Sequence, residues 1–207
     1  MQSVADALGV DRKSLHYHVK DREGLLELVA LDVFESEFRR INLASEGDWR
    51  DLLRTVANAM RAALIAVGSL LTYADLRGIG GQALLGVHED ILQSLLAAGF
   101  DLEEAGLAYA LVSDLAYCGA REAMFAAKEA MQAGTTKRGA PPEADIRDAM
   151  TDDADNGLPA LSQLVKVRSA EGYRDEQFEF NLWVLIVGLE KLLTLKSDPS
   201  RRRGGPG

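Results

Sequence analysis

The stretch Gln2-Ser3-Val4-Ala5-Asp6-Ala7-Leu8-Gly9-Val10-Asp11-Arg12-Lys13-Ser14-Leu15-His16-Tyr17-His18-Val19-Lys20-Asp21-Arg22-Glu23-Gly24-Leu25-Leu26 decides the fold. Read physically, it is a helix, a tight turn and a second helix. Val4, Ala5 and Leu8 fall on one helical face and are expected to share a core, Gly9 permits the turn, and Val10 and Leu15 pack the second helix on the first. Asp11 is placed to cap a helix over 12–18. That helix presents Arg12, Lys13, Ser14, His16, Tyr17 and His18 near its N-terminal end. A recognition helix meets base edges in the major groove at that end.

Outward from this segment the whole chain reads as helical, because Ala and Leu dominate and apolar residues recur at three and four. Asp21 caps a longer helix running to about Leu43, with Leu25, Leu26, Val29, Val33 and Phe34 as its inward stripe. Ser45-Glu46-Gly47-Asp48 breaks it. A helix over 49–67 follows, with Leu52, Leu53, Val56, Met60 and Leu64 on one face. Gly78, Gly80 and Gly81 mark the next break, before helices over 82–98 and 102–131 separated by Gly99. The stretch from Gly134 to Gly157, with Pro141-Pro142 and Asp152-Asp153-Ala154-Asp155, is a long candidate loop. A short helix follows Leu158-Pro159, and a last helix covers about 175–196. Its Phe178, Leu182, Leu185, Leu189 and Leu192 repeat by threes and fours. Residues 197–207, rich in Arg, Gly and Pro, read as a disordered tail.

Composition narrows the function classes. The chain has 207 residues and a net charge of −9, so it would not bind polyanions indiscriminately. The imbalance is uneven, however. Residues 1–22 carry four basic side chains against three acidic ones, while the remainder holds 19 against 29. If any part touches nucleic acid, it is the beginning. The longest uncharged apolar stretch, Ala62–Ala74, has 13 residues, whereas a membrane span needs roughly 20, so no crossing is expected. Met1 to Asp6 has no signal-peptide character. Cys118 is the single cysteine, which excludes an intramolecular disulfide and a cysteine-based zinc site and fits a reducing cytoplasm.

The N-terminal residues resemble the TetR family of transcriptional repressors. Ala5-Asp6-Ala7-Leu8-Gly9-Val10 followed by Leu15-His16-Tyr17-His18-Val19-Lys20-Asp21-Arg22-Glu23-Gly24-Leu25-Leu26 is similar to that family's helix-turn-helix and the helix after it. The likeness continues through Trp49, Leu52-Leu53-Arg54, Ala59-Met60-Arg61 and Ala63-Leu64. It is found again in Leu95, Ala98-Gly99-Phe100 and Leu102-Glu103, and in Phe178-Glu179-Phe180 with Gly188-Leu189-Glu190-Lys191, so it covers most of residues 2–196. It implies an all-α protein with an incomplete helix-turn-helix and connecting helix over 1–43 and an effector-binding and dimerisation domain over 44–196. Residues 197–207 would form the tail. The family's DNA-binding region has three helices, and its first normally precedes this segment. Roughly 20–30 residues of the expected region would then lie outside the chain, as expected of a start placed at an internal methionine or of a trimmed chain.

The resemblance also implies roles for individual residues. Arg12, Lys13, Ser14 and Tyr17 would read bases, Arg12 suiting a guanine edge. His16, His18, Lys20 and Arg22 would contact phosphates, which position without specifying. His16 and His18 point about 200° apart around a helix and make no metal pair. An effector cavity would draw on Phe38, Val56, Met60, Tyr73, Arg77, His88, Ile91, Leu92, Tyr109, Ser113 and Tyr117. Among these, Tyr109, Ser113 and Tyr117 recur at four and place three hydroxyls along one helical face. Phe38 and Val56 stand where the tetracycline-binding member uses a histidine and an asparagine, and its metal-chelating histidine has no counterpart near Thr72–Asp75. A largely apolar or aromatic effector is expected instead, with no metal and no cofactor.

The last helix and the 102–131 helix would pair with their mates in a homodimer, with Phe178, Leu182, Leu185, Leu189 and Leu192 as the seam. Two recognition helices would then meet a near-palindromic operator, and effector binding would release the DNA. An enzyme is not expected. Gly78-Ile79-Gly80-Gly81 fails the dinucleotide pattern, Ala140-Pro141 stands where a P-loop needs Lys-Ser/Thr, and no Glu-x-x-His pair exists for a di-metal bundle. The remaining alternative is a ligand-binding helical dimer that does not bind DNA.

Overall fold

A computed structural model describes residues 1–39, 48–72, 81–133, 158–168, 170 and 172–197. The described residues form helices α1 (Gln2–Leu8), α2 (Arg12–His18), α3 (Arg22–Arg39), α4 (Trp49–Val67), α5 (Gly81–Ala97), α6 (Leu102–Ala133), α7 (Pro159–Arg168) and α8 (Tyr173–Ser197), with a 3-10 turn at Gly68–Thr72. Among them there is no strand. The chain has the all-α fold that its three- and four-residue periodicity predicts. The expected end of the third helix at Leu43, the 134–157 loop and residues 198–207 of the tail lie outside the described residues.

Local chemistry sets the boundaries. Gly9 ends α1 in the left-handed region at φ 66°, where a side chain would be strained. The Asp11 side chain accepts from the Lys13 amide at 2.6 Å and caps α2. One turn further, the Asp21 carboxylate accepts from the Gly24 amide at 2.9 Å as α3 begins. At the start of α6, Asp101 Oδ1 accepts from the Glu104 amide while Glu104 Oε2 accepts from the Asp101 amide, a reciprocal capping box.

Helix α4 is the hub of the body, packing against α3, α5, α6 and α8. Leu53, Val56 and Ala57 are fully buried in a cluster with Ile91, Leu95, Val112, Phe178, Leu182 and Ile186. A second cluster joins Ala30, Phe34 and Phe38 of α3 to Ala63, Leu64 and Val67 of α4 and Leu84 of α5. Trp49–Thr72 has the length and composition of a membrane span once a few charged residues are allowed, with mean hydropathy 1.4. The uninterrupted 13-residue count missed this. One face of the segment, including Trp49, Leu53, Val56, Ala63 and Val67, is buried against neighbouring helices, while Ala62, Ile65 and Ala66 are exposed.

Ion pairs hold the far end of α8 and its start. Arg61 pairs with Asp175, and Arg50 bridges Asp48 and Glu190. The Arg174 guanidinium donates to the Glu122 carbonyl at 2.6 Å. Arg61 also lies 4.8 Å from the centre of the Phe178 ring.

Three sequence-based expectations need correction. First, α3 buries Ala30, Phe34 and Phe38, whereas Val29 is exposed, because the stripe follows four-residue steps toward α4. Second, Leu8 and Val10 are 63% and 44% exposed, and only Ala5, Leu15 and Val19 are buried between α1, α2 and α3. The turn carries the two apolar side chains to the outside of this small cluster. Third, Phe178, Leu182 and Leu189 are 2%, 1% and 6% exposed and belong to the protomer's own core, so they form no seam with a partner. Leu185 is half-buried and packs against the same cluster, while Leu192 is 49% exposed. Helix α8 is apolar on two faces. Its outward one carries Phe180, Trp183, Val184 and Val187 at steps of three, one and three.

Candidate functional site

Two places on the molecule gather the candidate functional side chains. The first is α2. Lys13, Ser14, His16, Tyr17 and His18 are all exposed on it, and Lys20 and Arg22 are exposed on the turn into α3. Tyr17 stands 87% exposed, and among the described residues its ring contact is His18, whose ring lies edge-on at 5.3 Å. Such exposure is what a base-reading or phosphate-contacting ring needs. His16 Nδ1 lies 3.4 Å from the Lys20 carbonyl, a long contact across the end of the helix. Arg12 belongs to α2, and its side chain lies outside the described residues.

The second place is a half-open cavity of about 330 Å³ bounded by four helices, at the small end of the size range for ligand pockets. From α3 come Phe34 and Phe38, whose ring centres are 5.2 Å apart, and from α4 come Met60 and Leu64. Leu84, Val87 and His88 of α5 form another part of the wall. Tyr109, Ser113, Asp114 and Tyr117 of α6 complete it. The His88 and Tyr109 rings lie 5.3 Å apart. Burial pushes the His88 imidazole below its usual range and the Tyr109 phenol above its own, so both groups favour the neutral form. The Ser113 hydroxyl is turned back onto the Tyr109 carbonyl at 3.0 Å.

Of the residues expected at an effector site, the structure brings Phe38, Met60, His88, Tyr109, Ser113 and Tyr117 onto this one cavity. Val56 and Ile91 are not on it; both are fully buried in the central cluster, on the side of α4 and α5 that faces α6 and α8. Leu92 packs against that same cluster. Tyr73 and Arg77 lie outside the described residues. The sequence reading missed Leu64, Leu84, Val87 and Asp114 and took Phe34 for core alone. A usable signal existed: Phe34, Leu64 and Leu84 each lie one four-residue turn from Phe38, Met60 and His88. Among the described residues no group of three or more His, Cys, Asp or Glu side chains could hold a metal ion.

A capped, exposed N-terminal helix followed by a helical body with a half-open, largely apolar cavity is the arrangement of a helical regulator, and the comparisons with known proteins agree. The model for the tetracycline-repressor-like C-terminal domain matches residues 43–193. The chain belongs to the TetR family of transcriptional regulators. It is 27% identical over 196 residues to the tetracycline repressor protein class C of Escherichia coli, spanning 94% of this chain and 83% of that protein. Among solved structures, the TetR-family protein ActR of Streptomyces coelicolor in complex with actinorhodin shares the fold, with TM-score 0.65 and 22% identity over 93% of this chain and 87% of that one. A second Streptomyces coelicolor structure, of a putative transcriptional regulator, matches at 26% identity and TM-score 0.59, over 92% of this chain and 86% of that one.

Proposed function

We propose that this regulator is a ligand-responsive repressor: a homodimer holds a near-palindromic operator through α2 and lets go when a small, largely apolar or aromatic molecule enters the cavity. One observation carries the reading. Phe34 and Phe38, on the cavity wall, belong to the helix that starts at Arg22, immediately after the reading helix. From Arg22 to Phe34 is about 18 Å of continuous helix at the usual rise per residue. A ligand that shifts the cavity end of α3 therefore moves the turn that carries Lys20 and Arg22. DNA and effector then oppose each other reciprocally, by a coupling typically of about 1–3 kcal/mol.

The dimer in this reading uses the outward face of α8, with Phe180, Trp183, Val184 and Val187, beside the exposed Leu107 and Leu111 of α6. Two such helix pairs make a four-helix bundle. The division into an N-terminal DNA-facing region over 1–43 and a ligand-binding and dimerisation region over 44–196 follows the same logic. Arg12, Lys13, Ser14 and Tyr17 read bases, while His16, His18, Lys20 and Arg22 fix the helix to phosphates.

The test is fluorescence anisotropy of labelled DNA from upstream of the protein's own coding region, at fixed salt, with a Tyr17→Ala variant alongside. Saturable binding that Tyr17→Ala weakens at least about fivefold is expected, since a lost base contact costs about 1–3 kcal/mol. A folded dimer that binds no such DNA would overturn the repressor reading. It would leave the second reading, a ligand-binding dimer without DNA binding, which the exposure of Leu8 and Val10 favours.

A further inference from the structure

The wall contributed by α3 and α4 is apolar, and the charge on the cavity lining comes from α6. Asp114, exposed to solvent, places a carboxylate on the lining, and no hydrogen bond or ion pair engages it among the described residues. We propose that the cavity takes a flat apolar molecule bearing a cationic nitrogen, with that nitrogen set against the Asp114 carboxylate. The inference rests on the cavity being the effector site and adds the charge of what enters it.

Three features converge on a cation. First, the described lining residues include the Asp114 carboxylate and no lysine or arginine, so the fixed charge they bring to the cavity is negative. Second, the one lining group able to become positive, His88, is held toward its neutral form by burial and does not supply a counter-charge. Third, Phe38, Tyr109 and Tyr117 border the same space, and aromatic rings attract cations through their electron-rich faces. The Ser113 hydroxyl is committed to the Tyr109 carbonyl, which leaves the Asp114 carboxylate as the strong acceptor on this part of α6. Tyr117 lies one turn, three residues, beyond Asp114, so one ring and one carboxylate can meet the same ammonium group.

Three probes share one anthracene body and differ only in charge: 9-(aminomethyl)anthracene, 9-(hydroxymethyl)anthracene and anthracene-9-carboxylate. Their own fluorescence reports binding to the full chain at neutral pH. The ammonium probe is expected to bind about tenfold more tightly than the alcohol, and the carboxylate more weakly than either, as an ion pair with the exposed Asp114 carboxylate and aromatic support from Tyr117 allows. In Asp114→Asn the ammonium and alcohol affinities should converge to within about twofold, with the alcohol itself unchanged. Met60→Trp, which narrows the cavity from α4, should weaken all three alike. Equal affinities in the unmodified chain, or an ammonium preference that survives Asp114→Asn, would overturn the charge assignment while leaving the cavity as an effector site. Binding of all three that Met60→Trp leaves unchanged would place the probes elsewhere and overturn it too. If none of the three binds, the effector-site reading itself falls, and the charge assignment with it.

Discussion

Helices α1 and α2 are pinned by Ala5, Leu15 and Val19, with Met1, Val4 and Leu25 around them. The body is built differently: a continuous cluster runs from Trp49 through Ile91, Val112 and Phe178 to Leu189, joining α4, α5, α6 and α8. The contrast follows from what each region must present. A helix that displays its polar side chains to solvent buries little: among the described side chains α2 gives only Leu15 to the interior, and it relies on the Asp11 cap and the Gly9 turn. The body can spend both faces of its helices on packing. Regions with few buried contacts open locally at lower free-energy cost than the core they adjoin.

The largest expected effect tests that contrast directly. Leu53→Ala removes a fully buried side chain at the centre of the body and should cost about 2–5 kcal/mol in denaturant unfolding. Leu15→Ala, the corresponding loss in the small cluster, should leave the global midpoint nearly in place while stripping hydrogen-exchange protection from α2. A global midpoint that falls equally for both would make the molecule one cooperative unit and break the comparison.

Next in size is Gly119→Ala on α6. A Cβ there would lie 2.6 Å from Cδ2 of the buried Phe178 ring and 3.3 Å from Cδ of Arg61. Both neighbours are held, Phe178 by the core and Arg61 by its pair with Asp175. Overpacking of this kind costs about 1–3 kcal/mol, and thermal unfolding should show it in the body alone. A neutral result would mean that α8 shifts freely against α6.

The smallest effect concerns pH. His88 is lowered in the folded chain by burial, so the unfolded chain takes up the proton more readily. Its contribution to stability is therefore present above the ordinary value of 6.5 and is lost as the pH falls from there through the folded value. Thermal midpoints of the native chain and of His88→Gln, followed across that window, should diverge, the variant showing the shallower loss. Parallel curves would show that His88 takes no part in the acid sensitivity of the body.

Periodicity made most of the helices legible, and its failures share one cause. The face of α8 containing Phe178, Leu182 and Leu189 and the face containing Phe180, Trp183 and Val187 are both apolar at helical spacing. A one-dimensional pattern shows that such a helix has two faces to cover, but not which neighbour covers which. The same holds for Val56 and Met60 on α4. They lie one turn apart, yet the first is fully buried in the central cluster and the second borders the cavity. Asp114 carried no signal of its own, because a single carboxylate on a long helix is ordinarily a solvated one.

What the sequence determined by itself was the set of local events: the Gly9 turn, the Asp11 and Asp21 caps, the helical class of the whole chain, and the display of Lys13, Ser14 and Tyr17 on a short helix. These depend on residues within a turn or two of each other, so composition and spacing suffice to specify them. Only the tertiary structure decided which apolar stripes turn inward, where α3 to α6 leave a cavity between them, and that Asp114 lies on its wall. Those outcomes depend on how helices far apart in sequence divide a shared core, and packing to crystal-like density fixes that division through volumes that no single helix contains.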